Sequence, residues 1–457
     1  MIRKILPILL FAIALSSCNY KNKGQLQNVT HSLFKDPTPK GMVLVKRGAF
    51  RMGTPNDTVW GAVNDSMTVS IENFWMDETE VTNFMYKHFV NWVKDSVLRE
   101  RLATVDPSFK PANKATGDSV LNWKKPIPWR SKNPEIQGVL SGMYVNLPRQ
   151  TKKFLNTNIL NYTYDWIDFE KANSRKYSLN RSILNTDVKL DQLADSYMLM
   201  DSSYVNSKGR VVTVQVNRPI RSYKDYFTTA VVNVYPDTSC WKVDFVAEKN
   251  DMYAALYFSS AGYQNYPVVG VSWDQANAFS YWRTRFYQTK SRYECAPYRL
   301  PTEAEWEFAA KGGKKGMVNK KYPWKGDDIV DKKGCYFANF KPLKGNFPED
   351  GYLITAPVGS FPPNDLGLYD LVGNVAEWTS TAYFPTGNKI MSTINASSEF
   401  NALGSFPYAL KKKVVRGGSF KDVYNFVNVN LREWKYQNEK MAYVGFRCVR
   451  NMPGEKY

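Results

Sequence analysis

The chain has 457 residues, 43% apolar and 15% aromatic, which is enough to bury a sizeable core and argues against wholesale disorder. It carries a formal net charge of +19, two histidines and five cysteines. No two cysteines stand as C-x-x-C and one histidine lies near the N-terminus, so a Ser-His-Asp hydrolase, a histidine-rich metal centre and a zinc or thioredoxin-type pair all lack their parts.

In chain order, Arg3 and Lys4 precede an apolar run from Ile5 to Leu15. The run is too short to span a bilayer, which takes roughly 20 residues, and reads as a secretory h-region. It ends in Leu15-Ser16-Ser17-Cys18, which resembles a bacterial lipobox. Residues 1–17 are therefore expected to be a lipoprotein signal peptide, with Cys18 the lipidated residue. Several acyl chains anchor firmly where one is marginal. Residues 18–40 are polar and read as a flexible tether reaching on the order of 26 Å. Asn19 follows the cysteine with no acidic run after it, which in bacterial lipoproteins favours the outer membrane, facing the periplasm. In that compartment the basic balance either serves solubility or meets anionic lipid, cell-wall polymer or acidic protein rather than nucleic acid, and disulfides are permitted. Cys240, Cys295, Cys335 and Cys448 allow three pairings among which spacing does not choose.

Residues 42–53 alternate loosely, as short strands joined by a turn do. From Thr82, Met85, Phe89, Trp92 and Val93 fall at helical spacing, predicting a helix that ends near Asp95. His88 sits in this helix and reads as structural; His31 lies in the tether. Between 96 and 262 the texture changes to Pro-, Lys- and Trp-rich sequence with helical and strand pieces such as "DVKLDQLADSYMLM" and "VVTVQV", an insertion expected to be partly ordered. Ser272 with Gln275 and Thr302 with Glu305 form capping boxes ahead of two further helices, the second ended by Gly312. Asn339, Asp350, Asp370, Asn374 and Glu377 then lie on loops. Such oxygens either bind calcium, which takes six to eight ligands and tolerates irregular loops, or form turns by bonding their own backbone.

The stretches "GMVLVKRGAFRMG", "DETEVTN", "YPVVGVSWDQA", "RLPTEAEWEFAAKGG", "YPWKG", "GLYDLVGNVAEWT", "VVRGGSF" and "VGFRC" occur in this order. Together they resemble the formylglycine-generating enzyme (sulfatase-modifying factor) family. The resemblance implies an α+β fold, related to C-type lectins, with much irregular structure. It divides the chain into core segments 41–95 and 263–450, an insertion at 96–262 and a tail at 451–457. It also implies two structural calcium sites. One would use Asn339 and Asp350 with the carbonyls of Phe340 and Tyr352, the other Asp370 and Glu377 with the carbonyls of Gly373 and Val375. Active members hold copper(I) through two cysteines at the third and eighth positions after the Ser of Arg-Gly-Gly-Ser. Here these are Asp422 and Val427, so no copper and no enzymatic activity are expected. Cys448 matches a disulfide cysteine of some members, whose partner position here is Ser280; Cys295 is a substitute.

The insertion, "VNVYPDTSCWKVDF" and "VVRGGSFKDV", with the lipobox, further resemble the GldK/PorK lipoproteins of the type IX secretion and gliding machinery. That resemblance implies a homo-oligomeric periplasmic ring with a GldN/PorN-type partner and contacts to other secretion components. The neighbouring expectations are a GldJ-like gliding lipoprotein and a glycan- or peptidoglycan-binding module on the same core.

Overall fold

The alternating residues near the start of the core form strands β1 (Met42–Val45), β2 (Gly48–Met52), β3 (Met67–Ile71) and β4 (Phe74–Asp77). They belong to a computed structural model that describes residues 37–53, 66–112, 119–146, 153–174, 177, 196–206, 209–246, 249–291, 295–313, 320–342, 347–385 and 391–452. The expected signal peptide, Cys18, His31 and nearly all of the tether lie outside the described residues, as does most of the tail. Every residue of β4 is buried, as befits a central strand. On one side β4 pairs antiparallel with β1, Met42 opposite Asp77. On its other side lies β16 (Val449–Asn451), near the end of the described chain, followed by β11 (Tyr298–Arg299). A second sheet has the order β14 (Arg432–Tyr436), β13 (Lys412–Arg416), β12 (Ala376–Ala382), β15 (Val444–Gly445), with only β12–β15 parallel.

Four helices of eight or more residues are described: α1 (Asn83–Leu102), α2 (Pro134–Ser141), α3 (Trp273–Gln288) and α4 (Glu303–Ala310). Thr82 caps α1 by accepting from the Met85 amide at 3.2 Å. Both expected capping boxes are present, at Ser272/Gln275 and Thr302/Glu305, and Gly312 follows α4 at φ +88°, the left-handed conformation that suits glycine. The helix α1 does not end near Asp95. Leu98 and Leu102 continue its apolar stripe and are covered by Phe109, Leu140 and Met143, so packing carries it past the expected end. The boundary placed at 95/96 therefore falls inside a helix.

The stretch 96–262 is richer in strands than its composition suggests. It holds β5 (Tyr144–Asn146), β6 (Lys153–Leu155), β7 (Asn161–Ile167), β8 (Ser196–Val205), β9 (Val211–Ile220) and β10 (Phe227–Asn233), paired as β5–β6, β7–β10 and β8–β9. Leu160, Tyr162 and Tyr164 share one apolar cluster with Phe89 of α1 and Phe279 and Trp282 of α3. Tyr162 meets Phe89 edge-on at 5.3 Å and Tyr164 stacks on Tyr281 at 4.5 Å. The β7–β10 pair thus completes the core. A second cluster, around Trp306, Phe308 and Leu371, packs α4 against β2, β3 and the loops before β12. No described helix is long and apolar enough to cross a membrane.

Candidate functional site

The segment after β13 begins Arg416-Gly417-Gly418-Ser419. Arg416 is fully buried. Its guanidinium donates to Glu307 Oε2 at 2.5 Å and to the carbonyls of Val429, Asn430 and Leu431. Glu307 also accepts from Lys311 at 2.6 Å and from the Gly53 amide at 2.7 Å. Burial pushes the Glu307 carboxyl up, but Lys311 and Arg416 more than offset it and hold the group below its ordinary value. Gly417 and Gly418 adopt φ of +93° and +68°. A Cβ on Gly417 would lie 2.8 Å from the Leu371 carbonyl oxygen and one on Gly418 would strike that of Phe426, so the backbone turns here only with glycine.

The next positions are those where two cysteines would stand. The Asp422 carboxylate caps the turn, accepting from the Ser419 amide at 2.9 Å and the Ser419 hydroxyl at 2.6 Å. Val427 is buried in the cluster around Trp306. Asn428 accepts from the amides of Asn430 and Leu431 and donates to the Asn425 carbonyl. Among the described residues no group of three or more His, Cys, Asp or Glu is arranged to hold a metal ion.

The expected calcium ligands come together around one knot. Asn374, at φ +50°, donates its amide to the Asn339 carbonyl and its Nδ2 to Glu80 Oε1, while its Oδ1 accepts from the Ala356 amide and its carbonyl from the Phe420 amide. The Gly373 amide donates to the Gly417 carbonyl at 3.1 Å. In the first set, Asp350 accepts from the amides of Phe340 and Tyr352 at 2.8 and 3.0 Å. Asn339 donates to the Ile354 carbonyl, and its buried Oδ1 has no hydrogen-bond partner. In the second set, Asp370 accepts from the Gly359 amide at 2.6 Å. Glu377 is gripped in a fork by Arg447, whose Nε and Nη2 donate at 2.7–2.9 Å, and it accepts from Trp306 Nε1 at 2.8 Å. Arg447 is itself wholly buried, its remaining donors on the carbonyls of Asp77, Glu78 and Tyr369.

Glu80 joins this second set without having been anticipated, although it lies in "DETEVTN". It is fully buried and its Oε2 has no hydrogen-bond partner. Burial, then the neighbouring Asp370, pushes the Glu80 carboxyl well above its ordinary value, and burial pushes Asp370 up to about 6. Three buried carboxylates thus share one guanidinium. Asn339 Oδ1 in the first set is a buried oxygen without a partner, and in the second set the Glu80 carboxyl faces that of Asp370; such oxygens are the chemistry a hard cation meets. These oxygens are of the kind calcium takes, and the three carboxylates are not arranged as a metal-holding group.

All four described cysteines are free. Ser280 Oγ lies 3.4 Å from Cys448 Sγ, so the family's disulfide position is occupied by this pair and Cys295 does not substitute. His88 is exposed on α1, its ring edge-on to Phe84 at 4.7 Å.

The family profile for the FGE-sulfatase, or sulfatase-modifying factor enzyme 1-like, domain matches residues 29–180 and 221–452. Formylglycine-generating enzyme of Mus musculus is 37% identical over 195 residues, 40% of this chain and 44% of that one. Inactive C-alpha-formylglycine-generating enzyme 2 of Mus musculus is 44% identical over 140 residues, 30% of this chain and 40% of that one. The structure of PvdO from Pseudomonas aeruginosa aligns with a TM-score of 0.41 at 17% identity, covering 90% of this chain and 94% of that chain. The chain spans about half the length of the curated relatives it matches. The expected absence of enzymatic activity is corrected here. Relatives named formylglycine-generating enzyme, 34–37% identical, point to enzyme activity, with inactive paralogues beside them.

Proposed function

Because the chain belongs to the sulfatase-modifying factor enzyme 1-like family, we propose that it uses this core as the body of an assembly lipoprotein in the type IX secretion and gliding machinery. Cys18 carries the lipid at the outer membrane, residues 18–40 hang the body in the periplasm, and the body forms a ring with its own copies and a GldN/PorN-type partner. The observation that supports this most is the β8–β9 ribbon, which leaves Tyr197 and Tyr204 half exposed together with Leu199, Val205 and Val214. Exposed aromatic and aliphatic side chains on a two-stranded edge are the material of interfaces. The ribbon can be shortened without cutting β7 or β10, which the core needs. The test is electron microscopy of the detergent-extracted complex from cells carrying the chain with residues 199–216 replaced by a short turn. Rings from the native chain and loss of rings from the folded variant are expected; intact rings would sink the proposal.

In this reading calcium is structural. Asn339, Asp350 and the Phe340 and Tyr352 carbonyls hold one ion. Asp370, Glu377 and the Gly373 and Val375 carbonyls hold the other, beside Glu80. The unsatisfied Asn339 oxygen and the facing carboxyls of Glu80 and Asp370 support it. Bound calcium neutralises buried negative charge and pins loops that have few backbone bonds of their own. Titrating calcium should raise the Tm and chelation should reverse it; an unmoved Tm would refute the assignment.

The curated relatives favour a second reading, formylglycine formation by this core. Positions 422 and 427 hold no thiol, so such chemistry would not run through a cysteine pair there. Incubating the purified chain with a cysteine-containing sulfatase peptide and following aldehyde formation by mass spectrometry decides it.

A further inference from the structure

A cavity of about 600 Å³ lies between the β7–β10 pair and β8–β9 ribbon on one side and α3, β12 and residues 399–404 on the other. That volume suits a small ligand or a side chain with its stem. No residue from 416 to 428 lines it, so it is separate from the frame described above. Its walls include Met198, Met200 and Leu403 and the stacked rings of Tyr164 and Tyr281. Burial, and then Asp274, pushes the Tyr164 hydroxyl up; burial, and then Glu399, does the same to Tyr281. The two carboxylates therefore stand close to the rings.

Most charges on the lining already have partners. Lys171 pairs with Asp168 at 3.4 Å and Arg299 with Glu305 at 2.6 Å. Lys411 donates to the Gly404 carbonyl, Asp201 accepts from the Gly404 amide, Asp165 accepts from Thr229, and Glu399 accepts from Ser380. Asp274 differs. It sits in the first turn of α3 and makes no hydrogen bond or ion pair among the described residues. The nearby Lys413 ammonium is directed to the Phe400 carbonyl and Asn401 and lies over the Trp273 ring at 3.8 Å. Lys413 and Lys440 act on Asp274 only from a distance, without an ion pair, so the charge left without a direct partner in this apolar, ring-walled cavity is a carboxylate.

We propose that the cavity binds a cationic group on an apolar stem, such as the lysine or arginine side chain of a peptide. Asp274 accepts from the ammonium or guanidinium, Tyr281 offers its ring to the cation, and Met198 and Met200 pack along the stem. A saccharide would ask for many directed polar groups, whereas the lining is largely apolar, and the polar atoms it leaves buried without a partner, Asp201 Oδ1 and Gln437 Oε1, are acceptors that a cation's N–H groups also satisfy.

The test uses the full chain and isothermal titration with four probes: Nα-acetyl-lysine amide, Nα-acetyl-arginine amide, the uncharged Nα-acetyl-norleucine amide, and chitotriose. A cationic probe should bind saturably while norleucine and chitotriose do not. Asp274→Asn should weaken that binding about tenfold, the scale of one charge-assisted hydrogen bond. Asn277→Lys, one turn along the same face, should abolish it by supplying an internal ammonium. It serves as the second variant if Asp274→Asn does not fold. Binding of chitotriose alone, equal binding of norleucine, binding unchanged in the folded variants, or no binding at millimolar probe would each overturn the proposal. These outcomes do not depend on ring assembly.

Discussion

Two guanidiniums, Arg416 and Arg447, organise the frame around positions 416–448. Each is fully buried and bonded to a buried glutamate and several carbonyls. A buried ion pair is not by itself strongly stabilising, but removing one partner leaves the other charged and dry. Arg447→Ala should therefore lower the unfolding free energy by about 3–5 kcal/mol in chemical denaturation, and Arg447→Lys should restore little because an ammonium cannot make the fork to Glu377. Asp274 gives a prediction in pH. Burial pushes it up to about 6, so in the folded chain it holds its proton where the unfolded chain has lost it. Native protein then binds more protons than unfolded protein from about pH 4 to 6, and the stability tied to this group falls as pH rises through that window. Asp370 and Glu80 titrate in the same sense, so the clean measurement is a difference. The Tm of the native chain minus that of Asp274→Asn should decrease from pH 4 to 7. At this scale the frame residues were legible as a motif, but their partners were not. Glu80 and Asn374 are separated by 294 positions and Arg447 and Asp77 by 370, and no local pattern links residues so far apart.

Among the elements, those bounded by local chemistry were readable. Ser272 with Gln275 and Thr302 with Glu305 mark helix starts because each pair satisfies two otherwise free backbone amides within four residues. The end of α1 and the strands of 96–262 depended on packing from elsewhere: Leu140 and Met143 cover the last turns of α1, and β7 finds β10 only across the intervening ribbon. The Ser280–Cys448 contact offers an element-scale test. Ser280→Cys places two thiols together between α3 and the β16 approach, closing a loop of 168 positions. In the chain-entropy picture such a link contributes up to about 4–5 kcal/mol. Burial, with Asp77 beside it, pushes the Cys448 thiol up to about 12, so the native thiol is a poor nucleophile. The bond should form during oxidative refolding rather than by oxidising the folded protein. Thiol titration after each treatment, with a raised Tm only in the first, checks this.

For the whole molecule, the chain closes its first sheet with residues from both ends of the described core: β16 lies between β4 and β11. Glu78 and Asp77 reach Arg447 across the same seam. The N-terminal strands therefore have no complete sheet to join until Val449–Asn451 is available. Such pairing belongs to the high-contact-order class, in which chain closure is slow because its entropy is lost before the contacts form. A chain emerging in order from a ribosome or a translocation pore stays open along one edge of β4 until Val449–Asn451 has appeared. During that interval β4, paired with β1 on one side, leaves its other edge open. A protease or chaperone acting on the nascent chain would meet its widest opportunity there, and a chain stopped before Val444 should be cleared by proteolysis rather than accumulate as a folded fragment.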